Sequence, residues 1–315
     1  MASWDRIDPP HFANGRYFNP GAEQARGFVD VLRWKLTSRA EPSPAWIPDV
    51  VESRPPARVE SGRWRVTLVN HSTLLLQTES LNLLTDPVWS ERVSPLSGFG
   101  PRRRRAPGVR FDDLPRLDAV LLSHNHYDHL DLPTLRRLAK AGVSRFVVPA
   151  GCAKLLRDEG MAGVEELDWG MSASLGGATI HCAPALHFSG RTAFDRNRTL
   201  WCGYWIEAAA GGAYFAADTG FGDHFAAIAR HFGSPRVAML PVGAYLPRWF
   251  MGPVHMGPEE ALEAHRILRP DVSIAIHHGT FQLADDAIDT PRRRLSALAA
   301  GERFLVLANG EAHEV

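Results

Sequence analysis

Between positions 124 and 129 the chain reads His-Asn-His-Tyr-Asp-His, and the stretch 123–131, SHNHYDHLD, packs His124, His126, His129, Asp128 and Asp131 into one short segment. No other feature restricts the fold as tightly. Each imidazole and carboxylate must be solvated, paired or ligated, and gathering them by burial alone is costly. Metal binding resolves the conflict, because imidazole nitrogen with a carboxylate companion is a preferred zinc donor set, and catalytic sites leave one coordination position open for water. On a tight loop His124 and His126 can face one side while Asp128 and His129 face the other, so a single loop can serve two adjacent metal ions. The helical H-E-x-x-H pattern is absent, which excludes a zincin.

The residues before the cluster, LDAVLLS at 117–123, form a short apolar run of the buried-strand type, so the cluster sits at the C-terminal end of a strand. One loop supplies four ligands and a dinuclear site needs more. Further donors are expected where other strands end, and they are there. His187 closes ATIHCAPALH, Asp218 follows YFAA and opens the turn DTG, and His277 follows VSIAI. Of the neighbours His277 and His278, only one faces the site if the strand keeps alternating. His71, His181, His224, His231, His265 and His313 lack comparable context and are assigned to core or surface, and Cys182 and Cys202 to the core.

Residues 1–60 carry prolines at 9, 10, 20, 42, 44, 48, 55 and 56 around one helical stretch at 22–37, and read as an arm packed on a single domain at 61–315. Within that domain RWRVTLVNHSTLLLQTE and LNLLTDP read as two strands joined by a polar turn. After the cluster come the helix LPTLRRLAKAG, the strand RFVVPA and the helix AKLLRDEG. The second half offers ATIHCAPALHFS, LWCGYWIEA, GAYFAADTG, VAMLPVGAY, VSIAIHHGTF and ERFLVLANGE as strands, with FGDHFAAIARHFG and PEEALEAHRILRP as helices. Two mixed β-sheets packed together with helices on the outer faces follow from this order, an α/β architecture.

Net charge is zero, with 45% hydrophobic and 22% charged residues, the profile of an ordinary globular protein with no global pull toward nucleic acid. Lys35, Lys140 and Lys154 are the only lysines, so the positive charge is almost all arginine. Three cysteines without C-x-x-C spacing argue against a disulfide framework. The N-terminal residues hold charges and prolines where a signal peptide needs an apolar run, and no stretch reaches the roughly 18 apolar residues of a membrane span. A cytoplasmic location is expected, with peripheral membrane contact compatible.

The blocks SHNHYDHLD, PALHFSGR, FAADTGF and AIHHGTF together resemble the metallo-β-lactamase superfamily, whose pattern is H-x-H-x-D-H followed by a distant His, Asp and His. The resemblance implies an αββα sandwich with two metals on one edge between the sheets. Within it the chain is similar to the N-acyl-phosphatidylethanolamine phospholipase D group, through LLTDPVWSERVSP, GPRRRRAPG, ELDWG, LPVGAYLPRWFM, HMGPEEALEAH and HHGTFQL, and through HFANGRYFNP in the arm. Carried over, it implies one metal on His124, His126 and His187, a second on Asp128, His129 and His277, and Asp218 bridging. His255, in VHMGPEEA, matches a histidine placed beside the reacting phosphate. The chain departs from the pattern at ADTG, where GDTG is commoner, and at HHGTF, where tryptophan commonly follows the ligand.

The function implied is a dinuclear zinc phosphodiesterase of phospholipase D type, with iron or manganese as alternative metals. Two ions about 3.5–4 Å apart share a hydroxide that attacks phosphorus, with Asp128, Asp218 and His255 as catalytic residues. Arg102 and Arg104 are candidates for a lipid phosphate, the alternative being a solvated loop. Tyr245 and Trp249 are candidates for acyl chains, the alternative being ordinary core. Competing functions are a small-ester or lactone hydrolase on the same dinuclear site, or a non-catalytic metal-binding scaffold. The expected partners are a phospholipid or small phosphodiester, with no nucleic acid, and a homodimer is compatible with the arm.

Overall fold

The structure, a computed structural model, describes residues 10–96 and 98–315, so the sequence readings of positions 1–9 lie outside the described residues. The N-terminal part holds a hairpin of β1 (Phe12–Ala13) and β2 (Arg16–Tyr17), then α1 (Phe28–Thr37). The first half of the domain runs β3 (Arg65–Asn70), β4 (Thr73–Gln77), β5 (Asn82–Thr85), β6 (Ala119–Leu121), α2 (Leu132–Lys140), β7 (Phe146–Pro149), α3 (Ala153–Asp158) and β8 (Val164–Leu167). The second runs β9 (Ser172–Leu175), β10 (Ala178–Ala183), β11 (Gly203–Ala208), β12 (Gly211–Phe215), α4 (His224–Phe232), β13 (Val237–Pro241), α5 (Arg248–Met251), α6 (Pro258–Leu268), β14 (Val272–Ile276), α7 (Thr290–Leu298), β15 (Phe304–Leu305) and β16 (Ala312–Glu314).

The strands form two seven-stranded sheets, in the order β16-β3-β4-β5-β6-β7-β8 and β15-β14-β13-β12-β11-β10-β9. Each sheet is antiparallel on one side and parallel on the other, the change falling at β5 in the first and β12 in the second. The alternation of the strands explains the layering. Val66 and Leu68 of β3, Leu74 and Leu76 of β4 and Leu83 of β5 meet Ile180, Ile206, Phe215, Met239 and Ile274 of the other sheet in an apolar interior. The opposite faces turn outward, Leu75, Leu84 and Val120 against Leu135, Leu138 and Leu156 of α2 and α3. On the second sheet Tyr214, Ala238 and Ala275 meet Phe225 of α4, Ala261 and Leu268 of α6 and Leu295 of α7. This is the αββα sandwich, and each fully buried aliphatic or aromatic side chain in it contributes about 1.5–3 kcal/mol.

Helix ends follow local chemistry. α6 begins with Pro258 at its first turn, and the Glu260 carboxylate accepts the Gly257 N–H at 2.9 Å, a capping arrangement that fixes where the chain enters the helix. The same carboxylate takes two hydrogen bonds from Arg248, at 2.6 and 2.8 Å, tying α5 to α6.

Two sequence readings are corrected. RWRVTLVNHSTLLLQTE is not one strand but two, because the chain reverses at His71 and Ser72, with His71 in the left-handed region at φ 50°. ERFLVLANGE keeps only Phe304–Leu305 as strand, and the following chain crosses back so that β16 pairs antiparallel with β3 of the first sheet.

The segment 10–60 lies along the domain and is fixed by specific bonds. The Asn19 amide donates to the His187 carbonyl at 2.9 Å, and its carbonyl accepts the Trp201 indole N–H at 3.0 Å. Trp34, the one buried residue of α1, donates its indole N–H to Asp285 and stacks on Phe250. The Glu41 carboxylate receives the Ala287 N–H and the Thr290 hydroxyl.

Candidate metal centre

The loops that carry the seven sequence-selected donors leave the C-terminal ends of strands. β6 runs into the loop holding His124, His126, Asp128 and His129; His187 follows β10, Asp218 follows β12 and His277 follows β14. β5, β6, β12, β13 and β14 all end at this edge, so the rim gathers what the sequence disperses.

The seven donors come together in two groups. His126 Nδ1 lies 2.8 Å from His124 Nε2 and 3.2 Å from His187 Nε2. Asp128 Oδ2 lies 3.3 Å from His129 Nε2 and 3.4 Å from His277 Nε2. Asp218 Oδ2 lies 3.1 Å from each of His129 Nε2 and His277 Nε2, and 3.8 Å from His187 Nε2. One carboxylate thus reaches both groups.

A metal fits these residues. Tetrahedral ligands at about 2.0–2.1 Å from an ion stand roughly 3.3 Å apart, which is the spacing seen here. Several atoms also lack any other use: His129 Nε2 and Asp218 Oδ1 are buried without a hydrogen-bond partner. Buried polar atoms in a native site are normally satisfied, so the gap calls for a ligand.

The outer bonds fix the rings. His129 Nδ1 donates to Asp86 Oδ2 at 2.7 Å, and the Ser123 hydroxyl bonds the same oxygen at 2.6 Å. Asp86 Oδ1 accepts the Ser123 N–H at 2.7 Å, so a fully buried carboxylate directs the loop at its root. His187 Nδ1 donates to the Val254 carbonyl at 3.0 Å. In each case the bond leaves Nε2 facing the centre. At Gly243 an added Cβ would stand 2.1 Å from the His277 carbonyl oxygen, so only glycine admits the close approach of these two strand ends.

Electrostatics divide the two groups. Burial pushes His124 well below its usual range, His126 down to about 3 and His187 down to about 4, leaving neutral imidazoles. Burial alone would lower His129 and His277 too, but Asp218 leads the opposing carboxylates, raising His129 well above its usual value and His277 to about 9. Burial would raise Asp128 and Asp218, yet the imidazoles around them, His129 foremost and His277 with it, together outweigh it and hold both well below the carboxylate range.

The remaining candidates are placed as follows. His255 Nδ1 stands 3.9 Å from Asp218 Oδ2, with its ring stacked on His277 and edge-on to His187. The side chains of Asp128 and His255 are 13% and 12% exposed, so the centre opens on their side. His278 turns away to the Ala275 carbonyl. Arg102 pairs with Glu91, and Arg104 donates to the Pro44 carbonyl; neither is brought to the donors. The alternate members of the run are buried, Arg103 on the Ser90 and Val88 carbonyls and Arg105 on Asp49, Asp289 and the Gly279 carbonyl. Tyr245 is buried, its N–H held by Asp286, and Trp249 is 37% exposed beneath the Arg33 guanidinium.

Sequence reasoning missed two residues here. Asp86 lies in LLTDPVW, just after a strand, the same position that marked the candidate donors. His71 was assigned to core or surface, yet its Nε2 lies 3.1 Å from Asp128 Oδ2.

The chain belongs to the metallo-β-lactamase superfamily: residues 81–278 match the beta-lactamase superfamily domain. It is a metal-dependent hydrolase of that superfamily, similar to N-acyl-phosphatidylethanolamine-hydrolyzing phospholipase D 1 of Caenorhabditis elegans at 39% identity over 235 residues, 71% of this chain and 66% of that protein. An uncharacterised protein of Mycobacterium tuberculosis is 37% identical over 306 residues, covering 94% of this chain and 82% of its own length. The metallo hydrolase of Ignicoccus hospitalis shares the fold with a TM-score of 0.61 at 23% identity, over 80% of this chain and 98% of that one.

Proposed function

We propose that the protein hydrolyses a phospholipid-type phosphodiester of the N-acyl-phosphatidylethanolamine class, as a phospholipase D, with two zinc ions held by His124, His126 and His187 and by Asp128, His129 and His277, Asp218 serving both. The observation that carries this is the seven-donor cluster with one carboxylate within reach of both groups. The naming of the Caenorhabditis elegans relative supplies the substrate class. Iron or manganese would suit the same nitrogens and oxygens, and metal analysis distinguishes them.

Bound divalent ions supply the positive charge that lowers the pKa of water toward neutrality and offsets charge on phosphoryl oxygens. The chain does the rest. Asp128 and Asp218, held ionised, accept hydrogen bonds from the attacking water and direct its lone pair at phosphorus. The water oxygen ends on phosphorus, the P–O bond to the head group breaks, and phosphatidic acid and an N-acylethanolamine leave. Burial keeps His255 well below its usual range, so it starts neutral and takes up a proton only against the cost of that burial. It protonates the departing alkoxide only after taking that proton from the attacking water; otherwise solvent does so.

The lipid reading also draws on α1. Phe28, Val29, Leu32 and Leu36 are 80, 77, 52 and 78% exposed, and Arg26, Arg33 and Lys35 lie beside them. An apolar helix face fringed by cations suits an anionic lipid surface, and α1 packs against α5 through Trp34 and Phe250. No helix among the described residues is long and apolar enough to cross a membrane.

The test pairs elemental analysis with two substrates, N-acyl-phosphatidylethanolamine in mixed micelles and bis(p-nitrophenyl) phosphate. The expected outcome is near two zinc per chain with phosphatidic acid released. Cleavage of the chromogenic diester alone would move the substrate to a small ester, and no bound metal would sink the proposal.

A further inference from the structure

His71 is not among the seven donors, yet three imidazole nitrogens converge on one oxygen. Asp128 Oδ2 lies 3.1 Å from His71 Nε2, 3.3 Å from His129 Nε2 and 3.4 Å from His277 Nε2. His129 and His277 also reach Asp218 at 3.1 Å, so those two rings face the space between the carboxylates. Of the two carboxylates, His71 Nε2 is placed against Asp128, while the His71 ring packs 4.2 Å from the His277 ring and edge-on to Phe281. We propose that His71 is a positioning residue for Asp128, donating its Nε2–H to Oδ2 and holding that oxygen toward the second metal position; this rests on the dinuclear reading above.

The backbone fixes His71 before its ring does anything. Its N–H donates to the Thr280 hydroxyl at 3.0 Å, and its carbonyl accepts the His277 N–H at 3.0 Å. It is 1% exposed and sits at φ 50°, a conformation that costs a non-glycine residue free energy. A ring needed only to fill this space would be better replaced by leucine. Instead a polar ring is buried with Nδ1 lacking a hydrogen-bond partner among the described residues, and Nε2 is the ring nitrogen given a polar contact. The tautomer follows: a ring nitrogen facing a carboxylate carries the proton, so Nε2 is protonated and Nδ1 bare. Asp128 needs such a hold, since it stands at the opening of the site and its carboxylate would otherwise turn toward water.

The experiment compares wild type, His71→Leu and His71→Gln. Each protein is stripped of metal, checked for folding by thermal denaturation, and titrated with Zn²⁺ against a chromogenic chelator. In H71L the second equivalent is expected to bind about 10–100-fold more weakly while the first is unchanged, as for other outer-shell partners of metal ligands. H71Q is expected to recover most of the loss, because an amide N–H can make the same bond. H71Q as weak as H71L would overturn the inference in favour of direct ligation by the ring, and wild-type affinity for both equivalents in H71L would overturn it outright. If H71L does not fold, the ¹⁵N resonances of the His71 ring in the zinc-loaded wild type decide: a protonated Nε2 supports it, a bare Nε2 refutes it. Wild type that takes up fewer than two equivalents would sink the dinuclear reading and the proposed role of His71 with it, whereas a two-zinc wild type beside an unaffected H71L would sink the role of His71 alone.

Discussion

Ala217 stands immediately before Asp218 at φ 53°, in a region where Cβ crowds the backbone. His71, Asp86, Ala244 and His277 share the left-handed conformation, so five non-glycine residues of this kind line the metal edge. Strain of this sort persists where surrounding bonds over-determine the backbone. Ala217→Gly removes the clash and is expected to raise stability by about 0.5–1 kcal/mol after the entropy of a freer unfolded chain is subtracted. Thermal denaturation checks it, and a lower midpoint would show that the alanine methyl packs better than its dihedral costs. Residue by residue, the convergence of the seven candidate donors was legible because histidine and aspartate at strand ends have few other uses. Asp86 and His71 were not, since a single acid after LLT and a single histidine inside an apolar run carry no spacing. The strand pattern ran straight through His71, and only the turn there aims its ring inward.

At the level of elements, the apolar runs that become β3 to β7 were legible, but the turn dividing β3 from β4 was not, nor were β8 and β16. Neither was the fate of residues 10–60, because prolines signal only where regular structure stops. What secures that segment is polar: Asn19 meets the His187 carbonyl, and Trp34 meets Asp285. Asn19→Ala leaves the buried His187 carbonyl without its donor, and the expected cost is about 1–3 kcal/mol with weaker retention of zinc by the first group. Chelator competition alongside a denaturant melt tests both parts. Unchanged zinc affinity would mean that the segment covers the domain without supporting its centre. The arginine run shows the opposite limit, because four consecutive guanidiniums look alike in sequence, and only the fold separates the two buried ones from Arg102 and Arg104.

For the whole molecule, the donors come from loops on both sheets, so a bound ion joins the two halves of the sandwich. Binding to the native state alone stabilises it by about 2.7 kcal/mol when free metal is 100-fold above its dissociation constant. Chelation is therefore expected to lower the melting midpoint, and an unchanged midpoint would separate the metal from the fold. Acid acts by another route at His224, whose Nε2 bonds the Thr219 hydroxyl and which burial pushes down to about 3. Below its unfolded value near 6.5 the unfolded chain gains a proton that the native ring refuses, so this residue removes stability as pH falls from about 6.5 toward 3. His224→Gln keeps a donor without titrating, and should move the acid-unfolding midpoint, read by circular dichroism, to lower pH. The pairing of β16 with β3 adds a matter of timing: the first sheet takes its outermost strand from the far end of the chain. Until residues 312–314 have been synthesised, β3 presents a bare row of amide and carbonyl groups. A chain stopped before Ala312 is expected to aggregate through that edge, however complete its metal ligands are.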